Sequence, residues 1–299
     1  MSITFKKIHP LFAAEVGPID LREVQDRETL AAIRTGMDQY AVLVFRDQSF
    51  TMQQQVDFVK RLDGHMHTKT GISALMKSRL GDIPLGDVSN VGADGKILPR
   101  EDRKRQYSLA NRLWHTDGSF QDPAARYSAL FAVTIPPVRN DTQFADMRAA
   151  YDALDDQTKK TLEGLRAQHS IAYSRQTLGF EFSASEQEAL KGAIHPMVRV
   201  NPRTGRKSVY VASHAFTVIE WPVPEGRLLI GEMMALATQP QLVYSHEWRP
   251  GDLVIWDNLA TMHRGIAFDD SQHPRELRRA TSIDVPYEFE NAAEAQAAA

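Results

Sequence analysis

The chain contains a short motif, Trp114-His115-Thr116-Asp117-Gly118-Ser119, whose residue types are those of a metal site. In an extended strand, side chains at positions i and i+2 point to the same face, so His115 and Asp117 can bind one ion together. An imidazole nitrogen and a carboxylate oxygen are two of the three ligands in the 2-His-1-carboxylate triad of non-haem Fe(II) oxygenases. Because a His-x-Asp pattern is short enough to arise by chance, this interpretation depends on a third ligand.

His263 is the best candidate for that ligand among the ten histidines of the chain. It follows the run Gly251-Asp252-Leu253-Val254-Ile255-Trp256-Asp257-Asn258, in which a turn leads into an apolar strand and a short polar loop connects the strand to the histidine. In a jelly roll, strands that are distant in sequence lie side by side, so the separation from His115 is no obstacle. Considered by itself, His263 could equally be a hydrogen-bonded, partly buried histidine.

A basic cluster, Arg275-Glu276-Leu277-Arg278-Arg279-Ala280-Thr281, follows the third histidine. If it forms a strand, alternation places Arg275, Leu277 and Arg279 on one face. The planar guanidinium group pairs bidentately with carboxylates, so two arginines on an inward face could each bind one carboxylate. A solvent-exposed basic face is the alternative.

Composition limits the kind of chemistry that the chain can carry. The 299 residues, 42% of them hydrophobic, are enough for a core without a disulfide or a structural metal. The absence of cysteine excludes thiolate nucleophiles, zinc–thiolate sites, iron–sulfur clusters and disulfides, so a metal must use nitrogen and oxygen ligands. The net charge of −3 has no strong block, which argues against a nucleic-acid partner. No signal peptide or membrane span is recognisable, so a cytoplasmic protein is expected.

Hydrophobic periodicity and turn residues predict many short elements. Leu30, Ile33 and Met37 have helical spacing, residues 41–45 read as a buried strand, and Thr51 with Gln54 resembles a capping box that opens a second helix. Residues 64–80 and 174–192 lack a readable pattern and are expected to form loops that shape a pocket. Further strands are expected at 88–91, 96–98, 127–135, 197–200, 208–211, 242–248, 253–256 and 280–285, and further helices at 146–154, 155–165 and 224–237.

These short strands, with helices confined to the first half and to insertions, predict a mainly β fold with a sandwich or barrel core. The strands do not alternate regularly with helices, and neither a G-x-G-x-x-G nor a G-x-x-x-x-G-K-[ST] motif is present, which disfavours a nucleotide-binding sheet. One catalytic domain is expected over residues 1–290. Residues 291–299 are low in complexity and are expected to be a disordered tail.

The order of these features along the chain resembles the TauD/TfdA family of taurine and aryloxyalkanoate dioxygenases, over nearly the whole length. The order is His-x-Asp, then Asp141-Thr142, then Asp257-Asn258-x4-His263-Arg264, then Arg275. Within the family, the resemblance is greatest to the 2,4-dichlorophenoxyacetate dioxygenase branch. The segments that carry this resemblance are His9–Ala14, Ile19–Glu23, Pro123–Ser128, Asp146–Leu154 and Arg275–Thr281.

The resemblance implies a double-stranded β-helix, which is a jelly-roll variant, and a set of cofactors. His115, Asp117 and His263 match the ligands of Fe(II). Thr142 matches the hydroxyl that binds a carboxylate of the cosubstrate 2-oxoglutarate, and Arg275 matches the arginine that anchors its far carboxylate. The oxidant implied is O2.

The resemblance also implies a small-molecule carboxylate substrate. Arg279 would face its carboxylate or sulfonate, and Lys96, His214 and Ser119 would be further substrate-binding residues. The implied reaction is hydroxylation of the carbon next to the carboxylate of an aryloxyacetate-like acid, which yields a phenol, glyoxylate, succinate and CO2. A homo-oligomer, either a dimer or a tetramer, is expected.

Two departures from the family pattern and several alternative functions remain at this point. Arg139-Asn140 stands where the family usually has paired glycines, and Gly118-Ser119 stands where the branch tends to carry two serines. The same oxygenase chemistry on taurine, another sulfonate or a plant-derived aryl carboxylate is the first alternative. A cupin-like metal enzyme that is not an oxygenase and a non-catalytic jelly-roll binding module are the others.

Overall fold

The computed structural model describes residues 3–67 and 78–286, and strands form the centre of the fold. The strands are β1 (Phe5–Lys7), β2 (Ala14–Val16), β3 (Val42–Phe45), β4 (Gly86–Ser89), β5 (Ala125–Thr134), β6 (Thr142–Asp146), β7 (Arg166–His169), β8 (Ala193–Pro196), β9 (Val198–Val200), β10 (Lys207–Val209), β11 (Ala215–Val218), β12 (Val243–His246), β13 (Leu253–Asp257), β14 (Thr261–Gly265) and β15 (Glu276–Ile283). The helices are α1 (Arg27–Tyr40), α2 (Met52–Asp63), α3 (Arg103–Ser108), α4 (Met147–Asp152), α5 (Asp156–Glu163), α6 (Ile171–Gln176), α7 (Ala184–Ala189) and α8 (Val223–Ala237).

Two sheets position the residues of interest. The larger has the order β1-β2-β3-β13-β5-β15-β4, and the second has the order β12-β6-β14. In the large sheet, β5 pairs with β13 and β15, so strands that are far apart in sequence become neighbours. Two smaller sheets, β10-β9 and β11-β7-β8, complete the described strands. The expected β fold with helical insertions is therefore confirmed.

The apolar core explains why β13 reads as an uninterrupted hydrophobic run. One face of the strand packs towards the second sheet, where the ring of Trp256 lies 5.4 Å from that of Phe144 in β6. Ile255 faces the opposite side and joins a core that includes Leu30 of α1 and Phe58 of α2. Because both faces of the strand are covered, polar alternation is absent.

Local signals in the sequence predicted the helix starts well. The Asp26 side chain accepts the Thr29 backbone N–H at the start of α1, and the Thr51–Gln54 capping box opens α2. Asp146 and Asp155 cap α4 and α5 in the same way. These caps act within a single turn, so the sequence alone was enough to identify them.

Three predictions about the intervening segments need correction. The expected hairpin of 88–91 with 96–98 is reduced to a single bridge between Val91 and Ile97, because β4 pairs instead with the long strand β15. β15 begins at Glu276 rather than at residue 280. Residues 174–192 are not wholly irregular, since α7 lies there with its own capping box. Residues 68–77 of the loop predicted at 64–80 and the predicted tail 291–299 lie outside the described residues. Within the described ranges, no helix is both long and apolar enough to cross a bilayer.

The buried imidazole of His169 in β7 should make the stability of the protein sensitive to acid. Neither of its ring nitrogens has a hydrogen-bond partner among the described residues. Burial, with His195 and Arg199 nearby, lowers its pKa to about 3, against about 6.5 in an unfolded chain. This histidine therefore contributes stability that is fully present above pH 6.5 and is lost as the pH falls towards 3. Between pH 7 and pH 4.5 the loss should be about 2.5 kcal/mol.

Urea unfolding of the metal-free protein at pH 7 and pH 4.5 tests this expectation. The free energy of unfolding should fall less between these pH values in His169→Phe than in the wild type, because phenylalanine binds no proton in the unfolded state. An identical fall in the two proteins would contradict the assignment.

Candidate metal and cosubstrate site

His115 and His263 are brought together by an isolated antiparallel bridge rather than by a regular strand around the His-x-Asp motif. The backbone N–H of each residue donates to the carbonyl oxygen of the other, over 2.9 and 2.7 Å. The two imidazole rings lie 4.1 Å apart. His263 belongs to β14, so the second sheet supplies the third predicted ligand to the two residues that precede β5.

Asp117 lies between the two histidines. Its Oδ1 is 4.0 Å from Nε2 of His115, and its Oδ2 is 3.8 Å from Nε2 of His263. One ligand atom from each residue lies within 4.8 Å of the others, and no other group of three such residues occurs among residues 3–67 and 78–286. Each residue is at most 5% exposed. All three predicted ligands therefore form one buried cluster.

The protonation states of the cluster suit a divalent metal. Nδ1 of His115 donates to the Leu113 carbonyl oxygen over 2.8 Å, which leaves the Nε2 lone pair facing Asp117. Burial lowers the pKa of His115 to about 4 and that of His263 well below its usual value. Burial alone would raise the pKa of Asp117, but the charge of the Arg279 guanidinium opposes it most strongly, the Ser128 hydroxyl also stabilises the carboxylate, and the pKa is about 2. Two neutral imidazoles and one carboxylate at neutral pH are the donor set that Fe(II) oxygenases use.

A second layer of hydrogen bonds holds Asp117 in place. Its backbone N–H donates to Oδ1 of Asn258 over 3.0 Å, and the Ser128 hydroxyl donates to its Oδ2 over 2.8 Å. Asn258 in turn donates to Ser128 and accepts from the indole N–H of Trp256. The sequence placed Asn258 in a motif, but no pattern in it predicted that the hydroxyl of Ser128 in β5 would reach the carboxylate of Asp117.

The two histidines face a cleft of about 910 Å3, a volume that includes the solvent-filled entrance. Its lining includes Thr142, Arg275 and Arg279, together with His115 and His263. The Thr142 hydroxyl accepts a hydrogen bond from the indole N–H of Trp248 over 3.0 Å, so its own proton can be donated to a ligand in the cleft. Trp248 was not singled out in the sequence, and its role depends on the pairing of the strands around it.

Arg275 and Arg279 project towards this cleft, and the predicted alternation along β15 is confirmed. Leu277 lies between them and packs into the core between the sheets, whereas Arg278 stacks over the Phe131 ring on the other side. Arg279 donates through Nη1 to Oδ1 of Asp117. Arg275 has no carboxylate within ion-pairing distance among the described residues. Burial lowers the pKa of its guanidinium to about 10, so the group stays charged at neutral pH.

The other predicted substrate residues lie outside the cleft lining. Ser119 and His214 are fully buried behind His115, and Lys96 is exposed in the turn that follows Val91. Nη1 of Arg175 donates to Nε2 of His214 over 3.0 Å. Because a guanidinium can only donate, the neutral imidazole carries its proton on Nδ1 and donates it to the Ser119 hydroxyl over 3.1 Å.

Arg175 was missed in the sequence because it belongs to the segment that was expected to be irregular. It is 5% exposed, and its guanidinium stacks over the Tyr107 ring at 4.7 Å. The buried guanidinium fixes the tautomer of His214, and with it the hydrogen bond from His214 to Ser119 behind His115.

Comparison with known proteins agrees with this site. The model of the family "Taurine catabolism dioxygenase TauD, TfdA family" matches residues 4–281, and the chain therefore belongs to that family. Among its relatives is the alpha-ketoglutarate-dependent 2,4-dichlorophenoxyacetate dioxygenase of Cupriavidus pinatubonensis, 45% identical over 95% of this chain and 99% of that protein. The (S)-phenoxypropionate/alpha-ketoglutarate-dioxygenase of Sphingobium herbicidovorans is 32% identical over 87% of this chain and 88% of that protein.

Solved structures show the same relationship. AAD-2 in complex with Mn(II) and N-oxalylglycine superimposes with a TM-score of 0.91 at 42% identity, covering 95% of this chain and 99% of that chain. A taurine dioxygenase from Burkholderia xenovorans has a TM-score of 0.75 at 27% identity, covering 96% of this chain and 93% of that chain. The family resemblance read from the sequence is thus confirmed.

Proposed function

We propose that this protein is an Fe(II)- and 2-oxoglutarate-dependent dioxygenase that acts on an aryloxyacetate-like acid. The observation that carries the proposal is that the buried cluster of His115, Asp117 and His263 opens onto the same cleft as Thr142 and Arg275. A site for one metal ion, with the hydroxyl of Thr142 and the guanidinium of Arg275 in the same cleft, suits a cosubstrate that carries two carboxylates. The activities named for the 45% and 42% identical relatives support the same reaction.

The three ligands would hold Fe(II), which together with 2-oxoglutarate and O2 supplies the oxidising chemistry. The hydroxyl of Thr142 donates to one carboxylate of 2-oxoglutarate, and the guanidinium of Arg275 binds the far carboxylate. Because Arg275 has no carboxylate partner among the described residues, its positive charge is available to bind and position the far carboxylate of 2-oxoglutarate.

Arg279 would bind the carboxylate of the primary substrate beside Asp117, so that the adjacent carbon faces the metal. Positioning of this kind matters because an error of about 1 Å can reduce the rate on the order of 100-fold. The substrate-binding roles of Ser119, His214 and Lys96 stay predictions. Ser119 and His214 would act through the wall behind His115, and Lys96 would need its turn to approach the cleft.

The proposed reaction divides the two atoms of O2 between 2-oxoglutarate and the primary substrate. One oxygen atom of O2 enters succinate as 2-oxoglutarate loses CO2, and the other becomes a hydroxyl on the carbon between the ether oxygen and the carboxylate. The product is a hemiacetal, which breaks its carbon–oxygen bond to the aryl ether and releases a phenol and glyoxylate. Each turnover therefore yields one succinate, one CO2, one phenol and one glyoxylate.

Further proposals concern the fold, the location and the assembly of the protein. We infer a double-stranded β-helix, supported by the large sheet packing against the β12-β6-β14 sheet and by the structural relatives. We also propose one catalytic domain over residues 1–290, a cytoplasmic location and a homo-oligomer, either a dimer or a tetramer.

Product analysis tests the proposed function. With Fe(II), 2-oxoglutarate, O2 and 2,4-dichlorophenoxyacetate, we expect phenol and succinate in equal amounts, and neither product when 2-oxoglutarate or O2 is left out. Parallel reactions contain taurine or a plant-derived aryl carboxylate in place of the herbicide.

The outcomes separate the alternatives. Succinate released with taurine, but no phenol from any aryloxyacetate, would move the substrate class to sulfonates. Turnover that needs neither 2-oxoglutarate nor O2 would indicate a cupin-like enzyme of another kind. Absence of both turnover and metal binding would indicate a binding module.

A further inference from the structure

Asn140 lies in the bend between β5 and β6. Its side chain is 6% exposed, and both ends of the amide are hydrogen-bonded. Nδ2 donates to the Val138 carbonyl oxygen over 2.8 Å, and Oδ1 accepts from Nε of Arg275 over 3.0 Å. These two partners fix the orientation of the amide, because the opposite orientation would set its oxygen against the Val138 carbonyl oxygen and its NH2 group against the Nε–H of Arg275.

Asparagine side chains hold Arg275 at two points. Its backbone N–H donates to Oδ1 of Asn90 over 2.8 Å, and Asn90 is itself held by the carbonyl oxygens of Asp270 and His273. The guanidinium is bonded through Nε to the side chain of Asn140, while Nη2 is 3.5 Å from the Asn140 carbonyl oxygen. A flexible arginine in a cleft would otherwise lose rotamer entropy on binding a ligand.

We propose that Asn140 is a positioning residue that fixes the plane of the Arg275 guanidinium for the far carboxylate of 2-oxoglutarate. This inference rests on the proposed function. An amide oxygen is suited to the role because it accepts the Nε–H without neutralising the arginine. A carboxylate at the same place would form an ion pair with Arg275 and compete with the cosubstrate.

A pair of ligands separates this role from a purely structural one. 2-Oxopentanoate has the chain length of 2-oxoglutarate but carries a methyl group in place of the far carboxylate, so it cannot use Arg275. We would measure the affinity of the Fe(II)-loaded protein for both acids without oxygen, from their metal-to-ligand charge-transfer bands. Asn140→Ala should weaken 2-oxoglutarate binding roughly tenfold, since it removes a hydrogen bond to a charged group, and should change 2-oxopentanoate binding less than about twofold. Asn140→Asp should weaken 2-oxoglutarate binding further.

The chain offers a matched control in Gln143, whose Oε1 accepts from Nε of Arg264 over 2.9 Å. Gln143→Ala removes an amide–arginine bond of the same kind in β6, and it should leave the ratio of the two affinities at the wild-type value. In the background of Arg275→Ala, Asn140→Ala should have no further effect on that ratio.

Three results would overturn the inference: equal weakening of both acids by Asn140→Ala, unchanged 2-oxoglutarate binding in that variant, or wild-type 2-oxoglutarate binding by Asn140→Asp. A wild-type protein that forms no charge-transfer band with 2-oxoglutarate would instead remove the proposed function, and this inference with it. The wild-type titration therefore distinguishes the two failures.

Discussion

Replacing His263 with alanine is expected to abolish the charge-transfer band with Fe(II) and 2-oxoglutarate and to end turnover. The change removes one of the three proposed ligands that converge within 4.8 Å, and His115 is the one other described histidine in that cluster. Loss of an outer hydrogen-bonding partner of a metal ligand typically weakens metal binding by about 10–100-fold, so loss of the ligand itself should cost more than about 100-fold. Calorimetric titration of the metal-free protein with Mn(II) measures the affinity directly.

Two further variants set the scale for that result. Ser128→Ala removes the hydroxyl that donates to Oδ2 of Asp117, and it should weaken Mn(II) binding by about 10–100-fold. His246→Ala removes a buried histidine that is bound to Asp252 away from the cluster, and it should leave the Mn(II) affinity unchanged. If His263→Ala bound Mn(II) as tightly as His246→Ala does, the metal site would be wrongly assigned.

Trp256→Ala is expected to lower the free energy of unfolding by about 3–5 kcal/mol, the usual cost of truncating a buried aromatic side chain. The indole is fully buried between the two sheets, where its ring lies 5.4 Å from that of Phe144 and 4.5 Å from that of His263. The variant also removes the N–H that donates to Oδ1 of Asn258, the atom that accepts the Asp117 backbone N–H. Urea unfolding of the metal-free protein gives the change in stability.

Trp221 provides the comparison, because it is only partly buried at the edge of another apolar cluster. Trp221→Ala should cost clearly less than Trp256→Ala and should leave Mn(II) binding intact, whereas Trp256→Ala should also weaken it. Equal losses of stability in the two variants would show that the core between the sheets contributes no more to the free energy of unfolding than the cluster around Trp221.

Several features of the site were accessible from the sequence because they depend on neighbouring residues. The shared face of Arg275 and Arg279 follows from the twofold alternation of a strand, and the caps of α1, α2, α4 and α5 follow from side chains that reach one turn along the chain. The residue types of the His-x-Asp motif, with no cysteine in the chain, also restricted the metal chemistry before any fold was known.

The tertiary structure decided which of these residues meet. The backbone bridge between His115 and His263 joins segments about 150 residues apart, and the pairing of β14 with β6 holds the strand that carries His263. The pairing of β5 with β13 brings Ser128 beside Asn258. The same packing gives Asp117 its Ser128 and Asn258 partners. Local patterns cannot report such contacts, because the packing of two sheets sets them rather than the preferences of nearby residues.

The sequence by itself determined the donor chemistry, the helix starts, the alternation along β15 and the family. It did not show that His214 and Ser119 are buried behind His115, where Arg175 donates a hydrogen bond to His214. Nor did it show that Lys96 lies in an exposed turn, or that the Asn140 side chain accepts a hydrogen bond from Arg275. Each of these features depends on a hydrogen bond or a degree of exposure that arises only when segments distant in sequence pack together. Such contacts leave no pattern among neighbouring residues, so the sequence alone does not reveal them.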